Sequence, residues 1–341
     1  MRYRDAGVDV ARAEAVKHTI GEAVRATWGP AVRPLPAGFA GVMSFPGAGA
    51  GTPLLAATMD GVGTKLHVAI AAGRVADAAA DLVYHGANDL LCHGARPLAL
   101  LDYVAQSRLD PAVVAAVIAG LARACGEVGA ALLGGETAEM PDTYLPGVVD
   151  VAGCMIGVVA PSRLLDGSAV RPGDRLLGLA SDGLHTNGFS LARLVLERSG
   201  LALDAPLPGD PRRRVGEALL APHRWYGPAL EPALEAGRVH ALAHVTGGGI
   251  AGNLARVLPA GCRGRVDPGA WARPPLFRWL IEAGAVPEDD ARSALNLGIG
   301  MVVACAAEDA AALRAELEGR GERLVALGEV AAGERGVEWT S

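Results

Sequence analysis

Thr58-Met59-Asp60-Gly61-Val62-Gly63-Thr64-Lys65-Leu66 follows directly on an apolar run, Pro53 to Ala57, and apolar residues resume at Leu66, Val68 and Ile70. This order reads as a strand that ends in a tight glycine loop and leads into a helix. Such a loop exposes backbone N–H groups that can admit a phosphate. The Asp60 carboxylate beside it suits Mg2+, which takes oxygen ligands and commonly bridges to substrate phosphates. Lys65 is one of only two lysines in the chain, the other being Lys17. The stretch is a candidate Mg–nucleotide cradle, with Asp60, Gly61, Gly63, Thr64 and Lys65 as its contacts. It is not a Walker A pattern, and an Asp-Gly turn on a surface loop is the other reading of the same residues.

Working outward, Val10 to Ala26 is amphipathic, with Val16, Ile20, Ala23 and Val24 on one face, and prolines from Pro30 break it. Gly38-Phe39-Ala40-Gly41 precedes a strand-like Val42 to Phe45. On the other side, Ala78 to Leu91 reads as a helix with an apolar face, ended by Gly94 and kept ended by Pro97. Asn88 and Asp89 fall in its last turns, where a carboxylate gains nothing from the helix dipole. An acid there points to a cation partner, or else to a solvated helix end. Leu98 to Val104 is a near-continuous apolar strand holding Asp102. Asp110-Pro111 opens a helix with a cap and a first-position proline, and Gly129 closes it. Ala130 to Leu133 is a further strand running into Gly134-Gly135-Glu136-Thr137-Ala138-Glu139-Met140-Pro141, and Val151 to Val159 follows. Asp60, Asp89 and Glu136 thus each end an apolar element near glycine, which suggests one shared cation site.

The composition shifts between Pro161 and Gly173, where a domain boundary is placed, giving domains 1–168 and 169–341. The strand Arg175 to Ala180 enters Ser181-Asp182-Gly183-Leu184-His185-Thr186-Asn187-Gly188, and a helix from Phe189 to Arg198 follows. Strand, glycine turn and helix N-terminus again make an anion-friendly site. No apolar pattern in the turn would bury an imidazole. His185 is therefore expected to face the cleft at the strand ends, as an acid–base group or a phosphate donor; a satisfied loop histidine is the alternative. Ala202 to Arg214 reads as a proline-rich loop. Val239 to Val245 alternates as a strand and leads to Thr246-Gly247-Gly248-Gly249 and a helix. His240 and His244 stand four apart on that strand, about 13 Å, and cannot share one ion. A strand from Met301 to Cys305, a helix from Glu308 to Glu318 and a final strand Leu324 to Leu327 complete the chain.

The bounds agree with a mostly aliphatic α/β protein of two domains: 341 residues, 51% hydrophobic, 4% aromatic, net charge −6. Mixed charges without a basic stripe argue against a nucleic-acid partner. No apolar run of membrane-spanning length lacks a charge or glycine, and no signal peptide is read at the N-terminus, so neither membrane nor export is expected. Five scattered cysteines, never paired as C-x-x-C, fit reduced thiols in a cytoplasmic protein and argue against a zinc site.

The chain resembles, nearly end to end, the phosphoribosylformylglycinamidine cyclo-ligase family of purine biosynthesis. The marks are Tyr3-x-x-Ala6-Gly7-Val8-Asp9, Asp60-Gly61-Val62-Gly63-Thr64-Lys65, Asn88-Asp89 with the run through Pro97, Gly134 to Pro141, His185-x-Asn187-Gly188 and Thr246 to Gly249. The element around Asp89 is shared with a wider ATP-using superfamily, so another ATP-dependent small-molecule kinase or synthetase is the alternative. Four positions depart from the family pattern: Arg25, Ala40, Asp182 and Leu295. The resemblance implies an N-terminal α/β domain that builds a barrel-like core across a homodimer, and a C-terminal layered α/β domain. It implies ATP and Mg2+, with Asp60, Asp89 and Glu136 on the metal and Lys65 on ATP phosphates. Asn88, Gly247, Gly248 and Gly249 fall at the nucleotide or ribotide, and His185 and Asn187 at the chemical step.

Overall fold

Two six-stranded sheets, one from each half of the sequence, organise the chain. The computed structural model describes residues 2–340 except Asp9, Pro36, Ala37, Ala48 and Ala50, and without the side chains of Tyr3, Val10, Ala11, Ala13, Glu14, Ala15, Lys17 and His18. Asp9 of the N-terminal motif therefore lies outside the described residues. The first half runs α1 (Val10–Arg25), β1 (Val32–Arg33), β2 (Gly41–Met43), β3 (Leu54–Gly61), α2 (Lys65–Ala71), α3 (Val75–Leu91), β4 (Arg96–Gln106), α4 (Pro111–Val128), β5 (Ala131–Glu139) and β6 (Val149–Val159). Its sheet order is β1-β2-β3-β6-β4-β5. Only β4 and β5 are parallel, and α4 supplies the crossover that a parallel pair needs.

The second half runs β7 (Arg175–Ala180), α5 (Phe189–Ser199), β8 (Pro206–Leu207), β9 (Asp210–Arg214), α6 (Val215–Leu219), α7 (Gly227–Glu235), β10 (Ala241–His244), α8 (Gly249–Val257), β11 (Cys262–Val266), α9 (Pro275–Gly284), α10 (Glu288–Ala294), β12 (Ile299–Cys305), α11 (Ala310–Gly319), β13 (Leu324–Ala332) and β14 (Gly336–Trp339). Its sheet order is β10-β12-β7-β13-β11-β14. The mixed α/β class is as expected. The supposed loop of residues 202–214 contains the β8–β9 hairpin, and β11 and β14 carry too few apolar residues to be read from pattern.

Two strands are longer than their apolar runs. β3 continues through Asp60 and Gly61, because the ladder with β6 pairs Asp60 with Gly153 and Gly61 with Ala152. The turn before α2 is thus only Val62, Gly63 and Thr64, with Gly63 in the left-handed region at φ 67°. β5 likewise continues through Glu139, paired with Gln106. Backbone pairing, not side-chain polarity, sets these ends.

α3 and α4 pack on one face of the first sheet. α4 is capped as its sequence dictates: the Asp110 side chain accepts from the Ala112 and Val113 N–H groups, and Gly129 closes it at φ 72°. By length and composition α4 alone among the described helices could cross a membrane. It packs along α3 instead, where Arg123 pairs with Asp77 and Glu127 accepts from the Tyr84 hydroxyl at 2.5 Å. The opposite sheet face carries exposed Met59, Leu101 and Leu133, the first 70% and the last 67% exposed.

Gly120 is where α4 meets α3 most closely; a Cβ there would lie 2.0 Å from the Ala76 carbonyl oxygen, which is backbone and cannot swing aside. Gly120→Val should therefore separate the helices and cost about 1–3 kcal/mol, the usual range for overpacking. Urea unfolding of the variant beside the parent checks this; an unchanged midpoint would mean that α4 is free to shift.

Candidate functional site

α3 is buried along almost its whole length, yet it carries Asp81, His85, Asn88 and Asp89. Their spacing of four, three and one puts them on one helical stripe. Each finds a partner from another element. The Asp81 carboxylate pairs with Lys65 and accepts the His223 backbone N–H at 2.8 Å. His85 Nε2 lies 2.8 Å from Asp60 Oδ2 and 3.7 Å from Asp89 Oδ2, while its Nδ1 meets Thr186 Oγ1 at 2.7 Å. The Asn88 amide donates to the Arg224 carbonyl at 2.8 Å and accepts the Tyr226 N–H at 3.2 Å. Asp89 Oδ1 meets His244 Nδ1 at 2.8 Å, and Asp89 Oδ2 accepts from Thr58 Oγ1 at 3.3 Å.

The charges follow from these contacts. Burial alone would lower the His85 pKa, but Asp60 and Asp89 overcome it and raise the imidazole to about 9. Burial likewise works to raise the Asp60 carboxyl; the His85 charge and hydrogen bond, then the Gly61 N–H, outweigh it and hold the group below its usual value. At neutral pH an imidazolium therefore sits between two carboxylates. Asp60 and Asp89 thus converge on one cation, the His85 imidazolium, and their oxygens are the ligand type that Mg2+ takes. His185 and His223 are pushed well below the usual histidine value, first by burial and then by neighbouring cations.

Several expected site residues occupy other roles. Glu136 does not join Asp60 and Asp89: β6 and β4 stand between β3 and β5, three strand spacings or about 14 Å, too far for one ion. The Lys65 ammonium is buried, paired to Asp81, donating to the His185 carbonyl at 2.9 Å and the Ala221 carbonyl at 3.2 Å. In this arrangement it meets no open surface where a phosphate could reach it. Asn88 holds backbone of the second half together rather than facing a cavity. Of the phosphate nest expected at Gly247, Gly248 and Gly249, the Gly248 and Gly249 N–H groups are already bonded, to the Ser293 and Thr246 carbonyls.

His185 is only 1% exposed, contrary to the expectation that it faces the cleft. The imidazole is enclosed by long-range neighbours, stacked on His223 at 4.1 Å and near Tyr226 at 6.3 Å. Its backbone lies in the left-handed region at φ 61°, a strained choice for a residue with a Cβ. Asn187 is half-buried beside Gly247, with its side-chain oxygen unpartnered. His85 and His223 escaped sequence reading, and His244 was read only as a strand residue that cannot share an ion with His240, not as the partner of Asp89. For His85 a signal existed, the polar stripe on an otherwise apolar helix; for His223 none did.

A cavity of about 800 Å³ opens next to Thr64, whose hydroxyl meets Ser190 at 3.2 Å. His67, Ser190 and Arg193 line it, with Asp5 and Ala6 of the N-terminal motif. Of the departures from the family pattern, Ala40 is buried and, among the described residues, has no need of glycine, since its φ is not positive. Asp182 pairs with Arg224 and Arg323, Leu295 fills core beside Gly188, and Arg25 is exposed.

Residues 40–159 match the N-terminal domain and residues 171–340 the C-terminal domain of AIR synthase related proteins, and the chain belongs to that family. Within it, the chain is 42% identical, over 329 residues, to a protein of Trichlorobacter lovleyi named phosphoribosylformylglycinamidine cyclo-ligase. The alignment covers 96% of this chain and 94% of the relative. Solved structures share the fold. The thiamine-monophosphate kinase of Stenotrophomonas maltophilia K279a aligns with a TM-score of 0.62 at 21% identity, over 93% of each chain. AaThiL complexed with AMPPCP and TMP aligns with a TM-score of 0.61 at 13% identity, over 99% of this chain and 95% of that one.

The His85 charge makes stability depend on pH. Its raised pKa contributes in full below about pH 6.5, the unperturbed value, and the contribution is lost as pH rises through about 9. The depressed Asp60 contributes above about pH 3.9 and is lost as pH falls below that. In chelator-treated protein the urea midpoint should fall between pH 6.5 and 9. The decline should flatten in His85→Gln; equal slopes for the two proteins would remove His85 from the account.

Proposed function

We propose that this chain catalyses the ATP-dependent closure of formylglycinamidine ribonucleotide to aminoimidazole ribonucleotide in purine biosynthesis. The observation that carries the reading is 42% identity across 96% of the chain to a relative named for this activity, with both AIR synthase domains present. The chemistry is coherent. A formyl amide is a poor electrophile, because its oxygen would leave as hydroxide or oxide. Transfer of the ATP γ-phosphoryl group to that oxygen turns it into a phosphate leaving group. An amidine nitrogen of the same molecule then attacks the activated carbon, phosphate departs, a proton is lost from nitrogen, and the imidazole ring is closed. Such a reaction depends mainly on positioning and charge neutralisation.

The structure's residues support roles in this reaction. Asp60 and Asp89 would hold Mg2+, which supplies charge neutralisation at the phosphates; Asp60, with its side chain 43% exposed, is the more open of the two. The ribotide would take the 800 Å³ cavity, where Arg193, His67, Thr64 and Ser190 offer phosphate partners. Neutral His185, with both ring nitrogens unpartnered, is suited to accept the proton lost from nitrogen, given an opening of the surrounding loops. Nucleotide binding is further supported by the AMPPCP complex of the fold relative AaThiL. Reduced, unpaired cysteines fit the cytoplasm. The domains are taken as 1–168 and 169–341.

Formation of aminoimidazole ribonucleotide from formylglycinamidine ribonucleotide with ATP and Mg2+ tests the reading directly; turnover of a different acceptor in its place would assign the chain to another ATP-dependent kinase or synthetase. Asp60→Asn should raise the Mg2+ concentration needed for half-maximal rate. His185→Ala should lower kcat by about 10²–10⁴-fold, the usual cost of a positioned acid–base group, without loss of the folded state by thermal melting.

The uncovered apolar face with Met59, Leu101 and Leu133 further supports a homodimer joined through the first sheets, closing into a barrel-like core. Sedimentation at micromolar concentration should give the mass of two chains, and Leu133→Glu should shift it toward one. A stable, active single chain would reject the dimer.

A further inference from the structure

A second group of side chains lies next to the acids and is only partly used by the cyclisation reading. His185, His223 and His244 each bring a ring nitrogen within 4.8 Å of the other two, and all three rings are buried. The hydrogen bonds fix where the lone pairs point. Asp89 Oδ1 accepts from His244 Nδ1 at 2.8 Å, so His244 Nε2 carries a lone pair. That nitrogen faces His223 Nε2 at 2.9 Å. His223 must then donate from Nε2, which leaves its Nδ1 a bare acceptor, and Nδ1 has no partner. Both ring nitrogens of His185 are also buried without a partner. A buried polar atom left unpartnered is costly. Here the atoms are gathered in one place, by a backbone held at φ 61° in the case of His185.

We propose that His185, His223 and His244 form a transition-metal site and that Zn2+ is the ion it takes. Three imidazole nitrogens with an open fourth position are a zinc donor set, with Zn–N near 2.0–2.1 Å. Mg2+ seeks oxygen and is not the match. Asp89 supplies the carboxylate behind a metal-binding histidine, which orients the ring and raises its basicity. Tetrahedral ligation would bring the nitrogens to roughly 3.3 Å from one another. The Nε2 atoms of His223 and His244 stand 2.9 Å apart as a hydrogen-bonded pair, so zinc would replace that bond, with the His223 proton moving to Nδ1, and His185, which offers a nitrogen within 4.8 Å of both, would leave its stack on His223 to complete the set. An entry route exists: His223 borders a cavity of about 310 Å³ that Asp77, Asp81 and Glu127 also line, an acidic mouth with Arg123 as its one basic group. If His185 serves the cyclisation as proposed, zinc here occupies the lone pair that the reaction needs, so the site is inhibitory.

The test uses the full-length protein, stripped with a chelator and titrated with Zn2+ against a chromophoric competitor, Mg2+ being present in excess. One Zn2+ per chain is expected. His223→Gln should weaken binding by at least about 10-fold, the scale seen for losses even behind the ligands. His240→Gln, whose ring is tied to Asp174 at 2.7 Å, should bind as the parent does. Zinc-edge X-ray absorption on the loaded parent should read three imidazole ligands, and it decides the matter if the His223 variant does not fold. Zinc bound no better by the parent than by folded His223→Gln, or fewer than three imidazoles in the spectrum, would overturn the proposal. Zinc binding in a chain that forms no aminoimidazole ribonucleotide would leave this site standing and remove only the cyclisation reading.

Discussion

The structure depends on the buried polar stripe of α3. A helix that is enclosed nearly all round must satisfy every polar group it carries, since an unpaired charge in low dielectric is far costlier than any single apolar contact is favourable. Asp81, His85, Asn88 and Asp89 cannot be satisfied by the first sheet, whose backbone groups are taken by its own ladders. They are satisfied by Arg224, Tyr226, Thr186, His223 and His244 from the second half, and by Lys65 and Asp60 from the first. Apolar packing brings the two halves together, and one core indeed runs from Val42 to Leu297. The stripe decides how they meet, because a slip along α3 would leave several buried charges uncompensated at once.

The same constraint sets the chemistry of the site. Asp60 enters from the end of β3, where the strand continues past its apolar residues because Gly153 lies opposite. It is the half-open member of the cluster, and His85 is its counter-ion. A divalent ion held by Asp60 and Asp89, as proposed, would meet carboxylates already held in place by their partners and would have to displace the His85 imidazolium. The acids are preorganised because the fold needs them paired.

How much of this was legible in the sequence follows from the range of the interactions involved. Local rules carried the caps of α4: Asp110, Pro111 and Gly129 act on their own neighbours, and they sit as read. The strand β7 and the glycine turn that follows it were legible for the same reason. Glu136 misled, because its glycines and acid resemble a loop, whereas pairing with Tyr103 keeps it in a strand three places from Asp60. Lys65 misled because a lysine after a glycine turn looks like a phosphate contact. Its partner, Asp81, lies on the next helix, at a distance in sequence that no local rule spans. His223 had no signal at all; only the docking of the second half onto α3 brings it to His244. Its neighbour Asn88 was read correctly as significant and for the wrong reason, since its amide serves backbone from residues 224 and 226.

Asp89 shows why role and fold cannot be separated here by a single substitution. One of its oxygens orients His244, and the other receives Thr58 and stands 3.7 Å from His85. Replacing it with asparagine would retain the size, yet the new amide would present a donor where a donor is already aimed. The His244 tautomer would then be free to change, and with it the proton between His244 and His223. Asp60 has no such second duty: its partners are His85 and the adjacent Gly61 N–H. On the proposed Mg2+ roles, a raised Mg2+ requirement in Asp60→Asn would speak about the ion, whereas the same change in Asp89→Asn would speak about the ion and the histidine cluster together. The two positions carry the same residue type on the same cation, and their difference is set wholly by what the buried stripe requires of each.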